Sequence, residues 1–154
     1  MNEALAHDLY LKYPKILKSE AGNEVSLDVS DGWYDLLDIL CSQVQHHIDW
    51  KNGAGEYSKY RDSRKEGESV PQLTAVQVKE KFGALRFYIY GGNEEIWGAI
   101  RMAEAMSHKI CENCGIPGYK QPGGWIRTLC DPCQEKRLTR KLNTDELIDK
   151  IRAT

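Results

Sequence analysis

Four cysteines in two pairs constrain this chain more than any other feature. Cys111 and Cys114 sit in CENCG, Cys130 and Cys133 in LCDPC, and 15 residues separate the pairs, a C-x2-C-x15-C-x2-C pattern. Thiolates spaced this way converge on one tetrahedral metal ion, and four soft sulfur ligands favour zinc. Four protein sulfurs leave no coordination position for water or substrate, so the expectation is one structural Zn2+ without chemistry of its own. A thioredoxin-like reading needs a CxxC after a strand at a helix start, and only Cys130–Cys133 approaches that.

The residues between and after the pairs have an order of their own. Gly115 follows the first pair and suits the positive φ of a metal knuckle. Pro117-Gly118 and Pro122-Gly123-Gly124 are turn signals. WIRTL at 125–129 reads as a short strand returning to the metal, with Trp125 covering the small core there. Asp131-Pro132 then reads as an N-cap followed by proline at the first helical position, which puts Cys133 in the first turn of a helix running through QEKRLTRKL. The dipole of that helix favours thiolates. His108 lies three residues before Cys111 and is expected to cap the preceding helix as a cation rather than to ligate.

Upstream, residues 3–12 read as a short helix broken near Pro14, and a short strand is expected around Val25–Val29. Ser30 and Asp31 offer an N-cap to the clearest helix of the chain, GWYDLLDILCSQVQHHIDW. Its apolar residues Trp33, Leu36, Leu37, Leu40, Cys41, Val44 and Ile48 follow a helical period and must face a core. His46 and His47, adjacent and so pointing apart, are expected at the solvent and at the edge of that stripe. LTAVQVKEKFGALRFYIY at 73–90 reads as a β-hairpin turning at Gly83, with Val76 and Val78 inward on one strand and Leu85, Phe87 and Ile89 inward on the other. Asn93, with Glu94 and Glu95 behind it, caps a second helix that delivers the chain to Cys111. Residues 51–70 are polar, carry glycines and lack a period, as an exposed loop would.

The chain of 154 residues accommodates one domain, or a domain plus a small metal module. The expected division is an α+β body at 1–108, in which the amphipathic helix and second helix pack on the hairpin, and a zinc-binding module with C-terminal helices at 109–154. No apolar run approaches the ~20 residues needed to cross a bilayer, and no secretory signal is legible at the N-terminus. A cytoplasmic location is therefore expected, where cysteine pairs stay reduced and available to metal. The sequence contains no Gly-rich phosphate loop, GxSxG elbow or HExxH helix, and no small-molecule substrate is indicated. Charge is uneven. Residues 1–108 hold 12 Lys and Arg against 17 Asp and Glu, a balance of −5, whereas residues 109–154 hold 9 against 6, a balance of +3.

A knuckle, a short hairpin and a second ligand pair at a helix start resemble a treble-clef zinc finger, and CENCG, the Trp-x-Arg strand and LCDPC are similar to its GATA-like variety. The resemblance covers about residues 110–142, with a spacer shorter than is usual for that family. It implies a zinc fold and a nucleic-acid contact through the helix and its basic tail. GWYDLL, QVKEKFGALRFY and GGWIRTLC also resemble uncharacterised small bacterial or phage proteins, a resemblance that implies no activity. The expectation is a non-enzymatic, zinc-stabilised binding protein, an accessory or regulatory factor. Its first-choice partner is a protein, met by the acidic body and by Tyr57, Tyr60, Arg61 and Arg64 of the 51–70 loop. The alternative is a nucleic acid, met by Lys120, Arg127, Lys136, Arg137, Arg140 and Lys141 around the finger.

Overall fold

The computed structural model describes residues 1–54 and 69–152, apart from the side chains at 146, 147, 149 and 150. Tyr57, Tyr60, Arg61 and Arg64 lie outside the described residues. The architecture is α+β. Helices α1 (Glu3–Lys12) and α2 (Pro14–Leu17) lead to strand β1 (Leu27–Asp28). A 3-10 turn (Asp31–Trp33) opens α3 (Tyr34–Asn52). Strands β2 (Ala75–Lys81) and β3 (Ala84–Ile89) form the hairpin, and α4 (Glu94–Ser107) follows. Strands β4 (Tyr119–Lys120) and β5 (Thr128–Leu129) precede the last helix, α5 (Asp131–Arg152).

The apolar stripe of α3 is buried as its period requires, and it packs with Ile96, Ile100 and Ala103 of α4 against Val78, Leu85, Phe87 and Ile89 of the sheet. Each buried Val, Leu, Ile or Phe among them contributes about 1.5–3 kcal/mol by leaving water. Leu9, Ile16 and Leu17 close the core from the N-terminal side, where the Tyr10 hydroxyl donates to the Val25 carbonyl at 2.7 Å. Cys41 is fully buried, and burial pushes its thiol far up, so it behaves as a small apolar residue.

The short strand expected around Val25–Val29 forms as β1 and joins the hairpin as a third strand, parallel to β2 with Leu27 opposite Val78, while β2 and β3 pair antiparallel. Two features depart from the sequence reading. The register shifts between Ala75 and Gln77, a bulge that reverses the alternation. Ala75 and Val78 therefore point inward and Val76 is exposed, although simple alternation puts Val76 and Val78 on one face. Ser30 makes no side-chain cap bond to the 3-10 turn, and the Asp31 carboxylate instead accepts from the backbone and side-chain nitrogens of Asn2 at 2.7 and 2.9 Å.

The capping expectation at Asn93 matches the structure. Asn93 Oδ1 accepts from the Ile96 amide at 3.0 Å. Its side-chain nitrogen meets His47 Nε2 at 2.8 Å, joining the start of α4 to α3. At the other end of α3, Gly53 adopts the left-handed conformation that ends helices. Asn52 then clamps both backbone groups of Val70, at 2.7 and 2.9 Å, and so ties the end of α3 to the chain that leads into β2.

Candidate metal centre

Cys111 and Cys114 belong to a knuckle that turns back on itself. The Cys111 amide donates to Ile116 O at 2.8 Å and the Gly115 amide to Cys111 O at 2.9 Å. Gly115 has φ +79°, the conformation expected of it. Strand β5 brings up Cys130, and the first turn of α5 presents Cys133. The four sulfurs lie within 4.8 Å of one another. Cys114 Sγ is 3.6 Å from both Cys130 Sγ and Cys133 Sγ. A tetrahedron with metal–sulfur bonds of about 2.3 Å has edges of about 3.8 Å, whereas a disulfide needs about 2.05 Å. The geometry is therefore that of ligands around one metal ion and not of two disulfides.

The electrostatics point the same way. Burial tends to push the Cys111 thiol up, but the amides of Cys130, Cys114 and Asn113 aim at its sulfur and hold it lowered, to about 7. Cys133 is pushed up to about 12 by burial and by the neighbouring Cys130, Cys114 and Cys111 sulfurs. Four sulfurs this close cannot all carry charge unless a cation lies among them, and a bound divalent metal removes that conflict.

The site is built against the body, and this is what the sequence reading missed. Gly32 of the 3-10 turn is pressed into the knuckle. A Cβ there would lie 2.2 Å from Cys111 O, 2.5 Å from Gly115 N and 2.6 Å from Cys114 N. The Gly32 amide donates to Glu112 O at 2.9 Å, and the buried Trp33 indole donates to Ile110 O at 3.1 Å. Gly118 has a like role, because a Cβ on it would meet Cys111 N and Cα at 2.9 Å. From the hairpin side, Gly83 O accepts from Thr128 Oγ1 at 2.6 Å. The spacing of cysteines carries no sign of these contacts; an unexplained glycine beside a buried tryptophan in DGW is the one available signal.

The basic residues divide into two groups. Arg127 is engaged within the protein. It reaches Glu112 at 2.6 Å, Asn113 at 3.1 Å and Ser30 at 3.3 Å. Glu112 is only 1% exposed, and burial raises its carboxyl while Arg127 pulls it back down. Lys120, Lys136, Arg140 and Lys141 are exposed and Arg137 is half-buried, and none forms an ion pair among the described residues. Trp125 does not cover the metal core, since its side chain is 69% exposed; Leu129 fills that place. The paired strand is shorter than 125–129 because only Thr128 and Leu129 find partners, in Lys120 and Tyr119. His108 ends α4 and lies outside the cysteine cluster.

Fold and site together define an α+β protein with a C-terminal cluster of four cysteines positioned to hold one metal ion. No protein-family model matches the chain, and comparison with curated proteins and with solved structures found no match either. Among the described residues, no helix is long and apolar enough to cross a membrane.

Proposed function

We propose that this chain is a non-enzymatic binding protein whose C-terminal module is held by one structural zinc ion and presents a cationic face to an anionic macromolecule. The observation that carries this reading is the set of five module cations, Lys120, Lys136, Arg137, Arg140 and Lys141, left without an ion pair among the described residues. Four thiolates suit zinc, and they fill its coordination, which supports a structural role over a catalytic one. The knuckle, short β4–β5 ladder and ligand at a helix start support a treble-clef-like module. A protein partner engaging the acidic body depends on the 51–70 segment, most of which lies outside the described residues.

The test is salt-dependent binding to nucleic acid and to an acidic polypeptide. Affinity should fall steeply with salt, because each phosphate contact releases condensed counterions. Arg140→Glu combined with Lys141→Glu should remove it while leaving one zinc per chain. Absence of binding to any polyanion at low salt would refute the reading.

A further inference from the structure

The hairpin tip and the loop before β5 display two aromatic rings side by side. Phe82 is 63% exposed and has φ +56°, a left-handed conformation that a bulky residue adopts only at a cost. Asparagine or glycine would sit there without strain, so the strain accompanies the display of a ring to solvent. Trp125 stands across from it. Phe82, Gly124, Trp125 and Ile126, with Glu80 and Lys81, line one groove of about 350 Å³. The bond from Thr128 to Gly83 O fixes the two walls relative to each other.

A second groove of about 400 Å³ opens on the far side of Trp125, against α5. Arg137 and Lys141 line it, with Leu138, Gln134 and the Pro122–Gly124 turn, and no carboxylate is among its described residues. Arg137 also donates to the Trp125 main-chain carbonyl at 3.2 Å, which ties the cation to the backbone that carries the ring. The Gln134 Oε1 atom is buried without a hydrogen-bond partner among the described residues. In the first groove, Lys81 Nζ lies 5.4 Å from the Phe82 ring centre, and the one carboxylate, Glu80, accepts the Gly83 amide at 2.6 Å through one oxygen and keeps its charge.

We propose that these two grooves bind single-stranded nucleic acid, with bases stacked on Trp125 and Phe82 and the backbone phosphates following Lys81, Arg137 and Lys141. This deepens the reading above and rests on it. An exposed ring next to a cation repeats the layout of a nucleotide, a flat apolar face beside a phosphate, and such pairs bind strands with little sequence preference. A duplex is excluded as the ligand of this site, because its base faces are already stacked on one another. An acidic peptide satisfies the cations but has no need of two exposed rings; aliphatic walls would serve it as well.

The experiment is fluorescence anisotropy of the zinc-loaded full chain with labelled oligothymidylate and oligouridylate, a duplex of equal length, and polyglutamate as competitor. Single strands should bind more tightly than duplex. Trp125→Ala and Phe82→Ala should each weaken binding about 5- to 160-fold, from ~1–3 kcal/mol per stacked base, and Trp125→Phe should recover most of the loss. The logarithmic salt slope should be about −1.4 to −2, from two to three cationic contacts on a single strand. Both aromatic side chains are exposed, so the variants should keep their fold and zinc. The proposal is overturned by duplex preference, by full displacement with polyglutamate, or by unchanged affinity in both alanine variants. In the last case, if Arg140→Glu with Lys141→Glu still abolishes binding, the cationic-face reading survives and the groove assignment alone is lost. Absence of any binding removes both.

Discussion

Gly32→Ala separates two accounts of the metal centre. If the four cysteines and their zinc form a self-sufficient module, this glycine, with ordinary backbone and in a turn of the body, should tolerate alanine. The smaller entropy of the unfolded chain would then add about 0.4–1 kcal/mol of stability. The structure predicts the opposite sign. The new Cβ would meet three backbone atoms of the knuckle at 2.2–2.6 Å, where ordinary contacts begin at 3.4 Å. Backbone held by a metal cannot rotate away as a side chain can, so the knuckle must retreat by about 1 Å. Overpacking of this kind costs about 1–3 kcal/mol, and losing the bond from Gly32 to Glu112 adds about 1 kcal/mol. A total near 3 kcal/mol, expressed in metal affinity, is about a hundredfold weakening. Chelator competition measures it directly, and denaturant unfolding with zinc present gives the stability. Unchanged zinc affinity together with equal or higher stability would refute the docking of the turn into the knuckle.

Metal analysis should give one zinc per chain, and Cys114→Ser should lose it together with the fold of the knuckle, since binding energy here is folding energy; a metal-free variant with native stability would contradict this. Thiolates and protons compete for the same sulfurs, so zinc affinity should fall as pH falls, with protons released on binding, as calorimetry in buffers of different ionisation heat will show. Arg127→Met should cost about 3–5 kcal/mol by leaving the Glu112 carboxylate buried without its cation, and adding Glu112→Gln should restore much of it; simple additivity in thermal denaturation would argue against the pair. Phe82→Asn should raise stability by about 1 kcal/mol by relieving left-handed strain while it weakens nucleic-acid binding; a loss of stability would mean that the ring supports the fold.

The parts of this fold that were legible are those dictated by local chemistry. The α3 stripe, the hairpin turn at Gly83, the Asn93 cap, the Gly115 knuckle and the start of α5 at Asp131-Pro132 each follow from residues close in sequence. The four sulfurs converge because each CxxC pair is itself a local unit. What escaped depends on distant partners. Val76 alternates correctly as a sequence, but a one-residue bulge opposite β3 turns it outward. Ser30 and Asp31 have cap chemistry, yet Arg127 and Asn2 claim them. Arg127 counted as one cation among several until Glu112, equally ordinary in sequence, appeared buried beside it.

Those long-range contacts also explain why the aromatic rings stand where they do. Gly83 and Thr128 are 45 residues apart, and their 2.6 Å bond holds the hairpin tip against the strand that carries Cys130. A Cβ on Gly83 would crowd the Arg127 backbone at 3.2 Å, so glycine at that turn serves the approach of the module as well as its own positive φ. The tip cannot shift without moving β5, and β5 cannot shift without moving a metal ligand. A metal ion held by the four cysteines would thus set the width of the groove between Phe82 and Trp125 although it lies outside it. Metal removal should therefore abolish strand binding in a protein whose α3–sheet core is still folded, a coupling that independent modules would not produce.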